Sequence, residues 1–131
     1  MKNIISTLIL VFIAQLGFSQ FQFDKIYASP SEDGSTKYLK IYKDGLVLMV
    51  NTKDDVVKVK EYFTRDSEEK DYIILYKSQS KIKDGSKASF VIENDGNKIN
   101  CIAQGQGDKI TLVMLSPNAG KQQSDFTVIK E

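Results

Sequence analysis

The sequence predicts an all-β domain with one short helix: an antiparallel meander of about eight strands curled into a small barrel or half-barrel. Three observations point there. Residues 37–51 read KYLKIY-KDG-LVLMVN, two β-prone runs joined through Asp44-Gly45, a pair able to take the positive φ of a tight hairpin. Downstream, turn clusters at 84–85, 94–97, 105–108 and 117–120 recur every 11 or 12 residues, the spacing of short strands that each pair with the next. The same region holds no helical pattern long enough for a crossover between parallel strands, so the sheet is expected to be antiparallel.

The chain of 131 residues is expected to be a leader over 1–19 and one domain over 20–131. Lys2 precedes an apolar run over 4–16, interrupted only by Ser6, Thr7 and Gln15, and Gly17 and Ser19 then place small residues at the −3 and −1 positions of a cleavage site. That is the layout of a secretory signal peptide. The run falls short of the ~20 apolar residues that a spanning helix needs. No cysteine stands just after the leader to carry a lipid, so the mature protein is expected to be exported, periplasmic or secreted, with no membrane anchor.

Residues 21–28 alternate as a first strand, with Phe21 and Phe23 on one face, and a turn cluster over 29–35 separates it from the central hairpin. The strand over 37–43 turns Leu39 and Ile41 one way and Tyr38, Lys40 and Tyr42 the other. Residues 46–50 are apolar on both faces, which suits a strand covered on both sides. A helix is expected over 52–65, capped by Thr52 with Asp55, because Val56, Val59 and Phe63 recur at helical spacing. Asp54–Lys58 and Glu61–Arg65 are its i,i+4 pairs. A loop over 66–71 leads to a strand over 72–76 that runs with a bend to Lys83. Strands over 87–93, 98–104, 109–115 and 125–130 complete the meander. Their inward sets are Ala88/Phe90/Ile92, Ile99/Cys101/Ala103, Ile110/Leu112/Met114 and Phe126/Val128.

Composition removes several classes of function. Without Lys2 the basic and acidic residues balance at 17 each, which lacks the clustered basic excess of a nucleic-acid binder. There is no histidine, which removes Ser-His-Asp and Cys-His catalysis and the commonest transition-metal ligand. Cys101, the single cysteine, shares an inward register with Ile99 and Ala103 and reads as a buried, inert thiol. Asp66, Glu68, Glu69 and Asp71 read as a solvated connection rather than a catalytic carboxylate pair. Residues 93–97 lack the ligand spacing of a calcium loop, and Gly105-Gln106-Gly107 lacks the strand-to-helix context of a phosphate cradle. Lys77, Lys81, Lys83 and Lys87 read as charges that keep an exposed face soluble.

Taken together, an N-terminal strand, the hairpin positions Tyr38, Leu39, Tyr42, Asp44, Gly45 and Val47, a short helix ending at Phe63, and then Ile82-Lys83-Asp84-Gly85, Phe90, Gly96, Gly107-Asp108, Leu112, Gly120 and Phe126 resemble the small secreted lipocalin-like, calycin-type, β-proteins of Gram-negative bacteria. The chain has no tryptophan, so the Gly-x-Trp signature of the lipocalin first strand is absent. The resemblance implies a lipocalin-like barrel and small-ligand binding, and it carries over no ligand-contacting residue.

The expectation is therefore a non-enzymatic binding module without a cofactor or metal. A small hydrophobic molecule such as a fatty acyl chain would sit in the barrel, with the helix over one opening. The candidate lining is Tyr38, Tyr42, Leu48, Phe63, Tyr72, Tyr76, Phe90 and Phe126, aromatic and aliphatic with hydroxyls for orientation, although the pairs Tyr38/Tyr42 and Tyr72/Tyr76 read first as a cover on the outside of the sheet. The alternative is a protein-interaction or inhibitor domain whose partner meets an exposed edge or loop. Intact mass of the exported protein checks the leader: the expected mature chain begins at Gln20, and retention of Lys2 would refute the assignment.

Overall fold

In the computed structural model, which describes residues 20–67, 75–94, 96–117 and 119–129, strict alternation of side chains decides how the chain curls. The strands are β1 (Ile26–Pro30), β2 (Thr36–Ile41), β3 (Leu46–Thr52), β4 (Leu75–Gln79), β5 (Lys81–Lys83), β6 (Lys87–Asn94), β7 (Asn97–Gln106), β8 (Lys109–Ser116) and β9 (Gly120–Val128), with helix α1 (Val56–Tyr62) between β3 and β4. They form one antiparallel sheet in the order β4-β3-β2-β1-β9-β8-β7-β6-β5. Its two ends, β4 and β5, are consecutive in the chain and meet at Ser80. The sheet thus returns on itself as a nearly closed small barrel, as its turn spacing predicts.

The expected inward sets all line the interior. Leu39, Ile41, Val47, Met49, Ala88, Phe90, Ile92, Cys101, Ala103, Ile110, Leu112, Met114 and Phe126 form one cluster, with Ile99 and Val128 packed against it. The two-sided apolar character of β3 is also explained. Val47 and Met49 face the interior, whereas Leu48 and Val50 face a second cluster with Tyr38, Tyr42, Val59, Phe63 and Leu75 on the outside of the wall. Helix α1 is bound there by Val59, while Val57 on its far side is exposed. It therefore covers the outer wall and not an opening, because Val59 and Phe63 match the outward residues of β2 and β3.

Four local expectations are corrected. The first strand begins at Ile26, since Asp24 takes a left-handed φ of 64° and breaks the run; Phe21 and Phe23 belong instead to a segment crossing the barrel end. The last strand begins at Gly120, five residues early, because register with β8 extends pairing through polar Lys121, Gln122 and Gln123. The helix cap is Asp55, whose carboxylate accepts the Lys58 N–H at 3.0 Å. Thr52 still pairs with Thr36 in the sheet and cannot serve. Finally, Asp54–Lys58 forms at 3.7 Å, but Arg65 lies beyond the helix and reaches Asp44 at 2.6 Å. The guanidinium holds the Asp44 carboxyl below the ordinary carboxylate range. That contribution to stability is present above the unfolded carboxylate pKa and is lost as pH falls through the folded one.

The expected bent strand over 72–83 is two strands in its described part. β4 pairs with β3 and β5 with β6, so the chain changes partner at Ser80. This corner is held from the central hairpin. Tyr42 N–H bonds to Leu46 O at 2.8 Å and Gly45 N–H to Tyr42 O at 2.9 Å, giving a three-residue loop whose last member, Gly45, has φ 99°. The Gly45 carbonyl accepts both Ser80 N–H (2.8 Å) and Ser80 Oγ–H (2.6 Å). A methyl group at Gly45 would stand 2.6 Å from Gln79 Nε2 and 2.8 Å from the Ser80 carbonyl.

Two outcomes test this account. Gly45→Ala should destabilise by about 1–3 kcal/mol from φ strain alone and further from the corner contact. Gly34→Ala, also left-handed at φ 89° but with nothing within 4 Å, should lose less; equal losses in urea midpoint would refute the corner's role. The Cys101 thiol, 1% exposed and pushed up to about 12 by burial, should react slowly with a thiol reagent in the native state and quickly in denaturant. Immediate native labelling would refute the register of β7.

Candidate functional site

The barrel has two unlike ends. At the base, where the β2–β3, β5–β6 and β7–β8 turns gather, residues 20–24 cross the opening. Phe21 N–H bonds to Gly85 O at 2.8 Å, Gly107 N–H to Gln20 O at 3.2 Å and Asp24 N–H to Ile41 O at 2.9 Å. The Phe21 ring lies so close to Gly105 that a methyl there would stand 2.4 Å from its Cδ1. Phe23 meets Phe21 edge to face, centroids 6.0 Å apart. Tyr27 locks the plug from inside: its hydroxyl donates to Gly107 O at 2.8 Å and accepts the Gln22 N–H at 3.0 Å. Burial, with the nearby Asp108 charge, raises the Tyr27 pKa above its ordinary value, although the Gln22 bond opposes this. Tyr27 therefore stays a neutral donor.

Among the described residues, no segment crosses the other end. There Met49, Tyr76, Ile92, Ile99 and Met114 form an apolar floor, and Lys37, Asn51 and Gln122 stand around it, enclosing a cavity of about 180 Å³. Register explains the set. Lys37 pairs with Asn51, Met49 with Tyr76, Ile92 with Ile99 and Met114 with Gln122, so four cross-strand pairs bring these side chains together at this end. Met49, Ile92 and Met114 are the top of the packed interior, and below them Leu39, Phe90 and Leu112 are buried. Other hollows include one of about 430 Å³ between β4 and β6, one of about 390 Å³ outside the plug and one of about 250 Å³ beside Gln104, Lys109 and Asp125.

The hollow between β4 and β6 marks the seam of the barrel. β5 covers only Lys87, Ala88 and Ser89 of β6, and beyond it Ser78 Oγ bonds across to Val91 O at 2.8 Å. Tyr76 and Ile92 line both this hollow and the open mouth.

The eight residues expected to line one pocket are divided by the wall. Tyr38, Tyr42, Leu48 and Phe63 lie in the outer cluster beneath α1, Tyr42 with the Lys40 ammonium 5.0 Å and the Arg65 guanidinium 4.8 Å from its ring centre. Phe90 and Phe126 lie inside but are close-packed, 4% and 0% exposed. Tyr76 alone of the seven described reaches the mouth, and Tyr72 falls outside the described residues. Hairpin tyrosines at even positions necessarily point away from Leu39 and Ile41. The mouth residues that aromatic content missed were nevertheless legible: Lys37 is two before Leu39 and Asn51 two after Met49, on the inward register.

Among the described residues no group of three or more carboxylate, thiol or imidazole side chains assembles as a metal site. No protein family, curated protein or solved structure matches this chain.

Proposed function

We propose that the protein is an exported, non-enzymatic binding module that takes the apolar part of a small molecule into the open end of its barrel. The observation that carries this reading is the mouth itself: an apolar floor with three polar side chains around it, at the one end that Phe21 does not plug. Convergent polar groups above an apolar concavity are what small-molecule sites use for orientation and affinity. The leader over 1–19 supports export, and the absence of histidine from the whole chain supports binding over catalysis.

Size narrows the ligand. Pockets that bury a drug-sized molecule run to roughly 300–1,000 Å³, and an apolar cavity of about 150 Å³ takes one benzene ring. At about 180 Å³, the mouth accommodates a single ring or a short chain. A whole fatty acyl chain would have to displace Leu39, Phe90 and Leu112 from the packed interior. Methionine at two of the five floor positions suits a site that adapts its shape, because the thioether chain is flexible and polarizable.

A second reading, a protein-interaction domain, is supported by the outer face of β6–β8. Val91, Ile102 and Leu115 are 42, 36 and 43% exposed there, in neighbouring rows of the sheet. Single exposed hydrophobics are ordinary on any protein, so the concave mouth weighs more.

Thermal denaturation against a panel of single-ring and short-chain compounds separates the two. A ligand at a hundred times its dissociation constant should stabilise the native state by about 2.7 kcal/mol. Ile99→Trp, which fills the mouth from its half-buried rim, should abolish the shift. If no compound raises the wild-type midpoint, the binding-module reading fails.

A further inference from the structure

Building on the mouth as the binding site, we propose that its occupant is a small organic acid: an apolar body of about one ring held between Met49, Ile92 and Met114, with a carboxylate that meets Lys37 at the rim. Of the eight described residues around the cavity Lys37 is the sole charged one. It occupies the inward register of β2, half-buried, directly opposite Asn51. A lysine on the inner face of a small barrel gives up solvation that an outward one keeps, and its stem can only partly restore this by reaching up to water.

The other lysines with defined contacts are differently placed. Lys58 pairs with Asp54, Lys40 lies over the Tyr42 ring, and the Lys77 ammonium bonds to the Arg65 carbonyl. Among the described residues the Lys37 ammonium has neither an ion pair nor a hydrogen bond, and no carboxylate lines the mouth. The turn just before β2, over 31–35, carries Asp33, but its carboxylate is engaged by Ser35 through both N–H (3.0 Å) and Oγ–H (2.6 Å).

A carboxylate supplies what this arrangement lacks. It accepts charge-assisted hydrogen bonds from an ammonium at the edge of a low-dielectric floor, and the Asn51 and Gln122 amides offer further donors within the same rim. Apolar floor and single cation together select an acid over the matching neutral amide or amine. The shallow floor selects a short body over a long one.

Matched probes test this without knowledge of the natural ligand. Phenylacetate and phenylacetamide, and hexanoate and hexanamide, would be titrated into the mature protein and followed by NMR at the Met49 and Met114 methyl groups. In the wild type each acid should bind about tenfold more tightly than its amide, the scale of one hydrogen bond to a charged group. The preference should vanish in Lys37→Met, which keeps an apolar stem, and persist in Lys37→Arg. Equal binding of acid and amide, or a preference that survives Lys37→Met, would overturn the assignment of an acid while leaving the mouth as a binding site. Dodecanoate binding far more tightly than hexanoate would overturn the short body. Methyl signals unmoved by every probe would remove the mouth reading and this inference with it.

Discussion

The fold depends on one backbone carbonyl. Gly45 O receives both the amide and the hydroxyl of Ser80, and these two hydrogen bonds hold the corner where the chain leaves β3 as partner and takes up β6. That corner, with Ser78 Oγ bonding across to Val91 O at 2.8 Å, joins the two ends of the sheet. With it, nine short strands share a single interior. Gly45 can present its carbonyl in this direction because it is left-handed and carries no Cβ; the space a Cβ would need is filled by Gln79 and the Ser80 carbonyl. The same turn anchors α1 through Asp44 and Arg65, so closure and the outer helix are fastened at one point.

Closure gives the barrel a polarity. All turns at the base meet residues 20–24, and the Phe21 ring enters against Gly105, where a larger residue would exclude it. Tyr27 then satisfies the plug's polar atoms from within. At the opposite end Lys37, Asn51 and Gln122 stand around the apolar floor. The interior between is filled with Leu, Ile, Phe and Cys101, which is why the available volume lies at the mouth and not along the axis. A barrel this small has room for packed side chains or for a deep ligand, and this one uses the space for its core.

The wall is also the divide between two sets of aromatic residues that look alike in the sequence. Tyr38 and Tyr42 share a face, as their spacing requires, and they support α1. Helix and tyrosines together make the β2–β3 wall two-layered, so Leu48 and Val50 are as buried as Val47. The helix consequently stabilises the site indirectly, by fixing the strands that carry Lys37, Met49 and Asn51.

Much was legible from residue order alone. Period-two alternation identified every inward set of β6 to β8 and the two-sided character of β3, because a strand offers a side chain only two directions. Turn residues at regular spacing implied a curled antiparallel meander, since short strands so connected pair with their neighbours. What alternation cannot state is which of the two faces the helix covers, where a strand ends when its last residues are polar, or whether an interior is full. Those were decided by three-dimensional contacts: Val59 and Phe63 matched the outward residues of β2 and β3, register with β8 carried β9 through Gln122, and side-chain volume filled the barrel up to Met49 and Met114. The residues of the mouth were thus present as inward positions in the sequence, but their meeting came only from the registry of four strand pairs around the barrel.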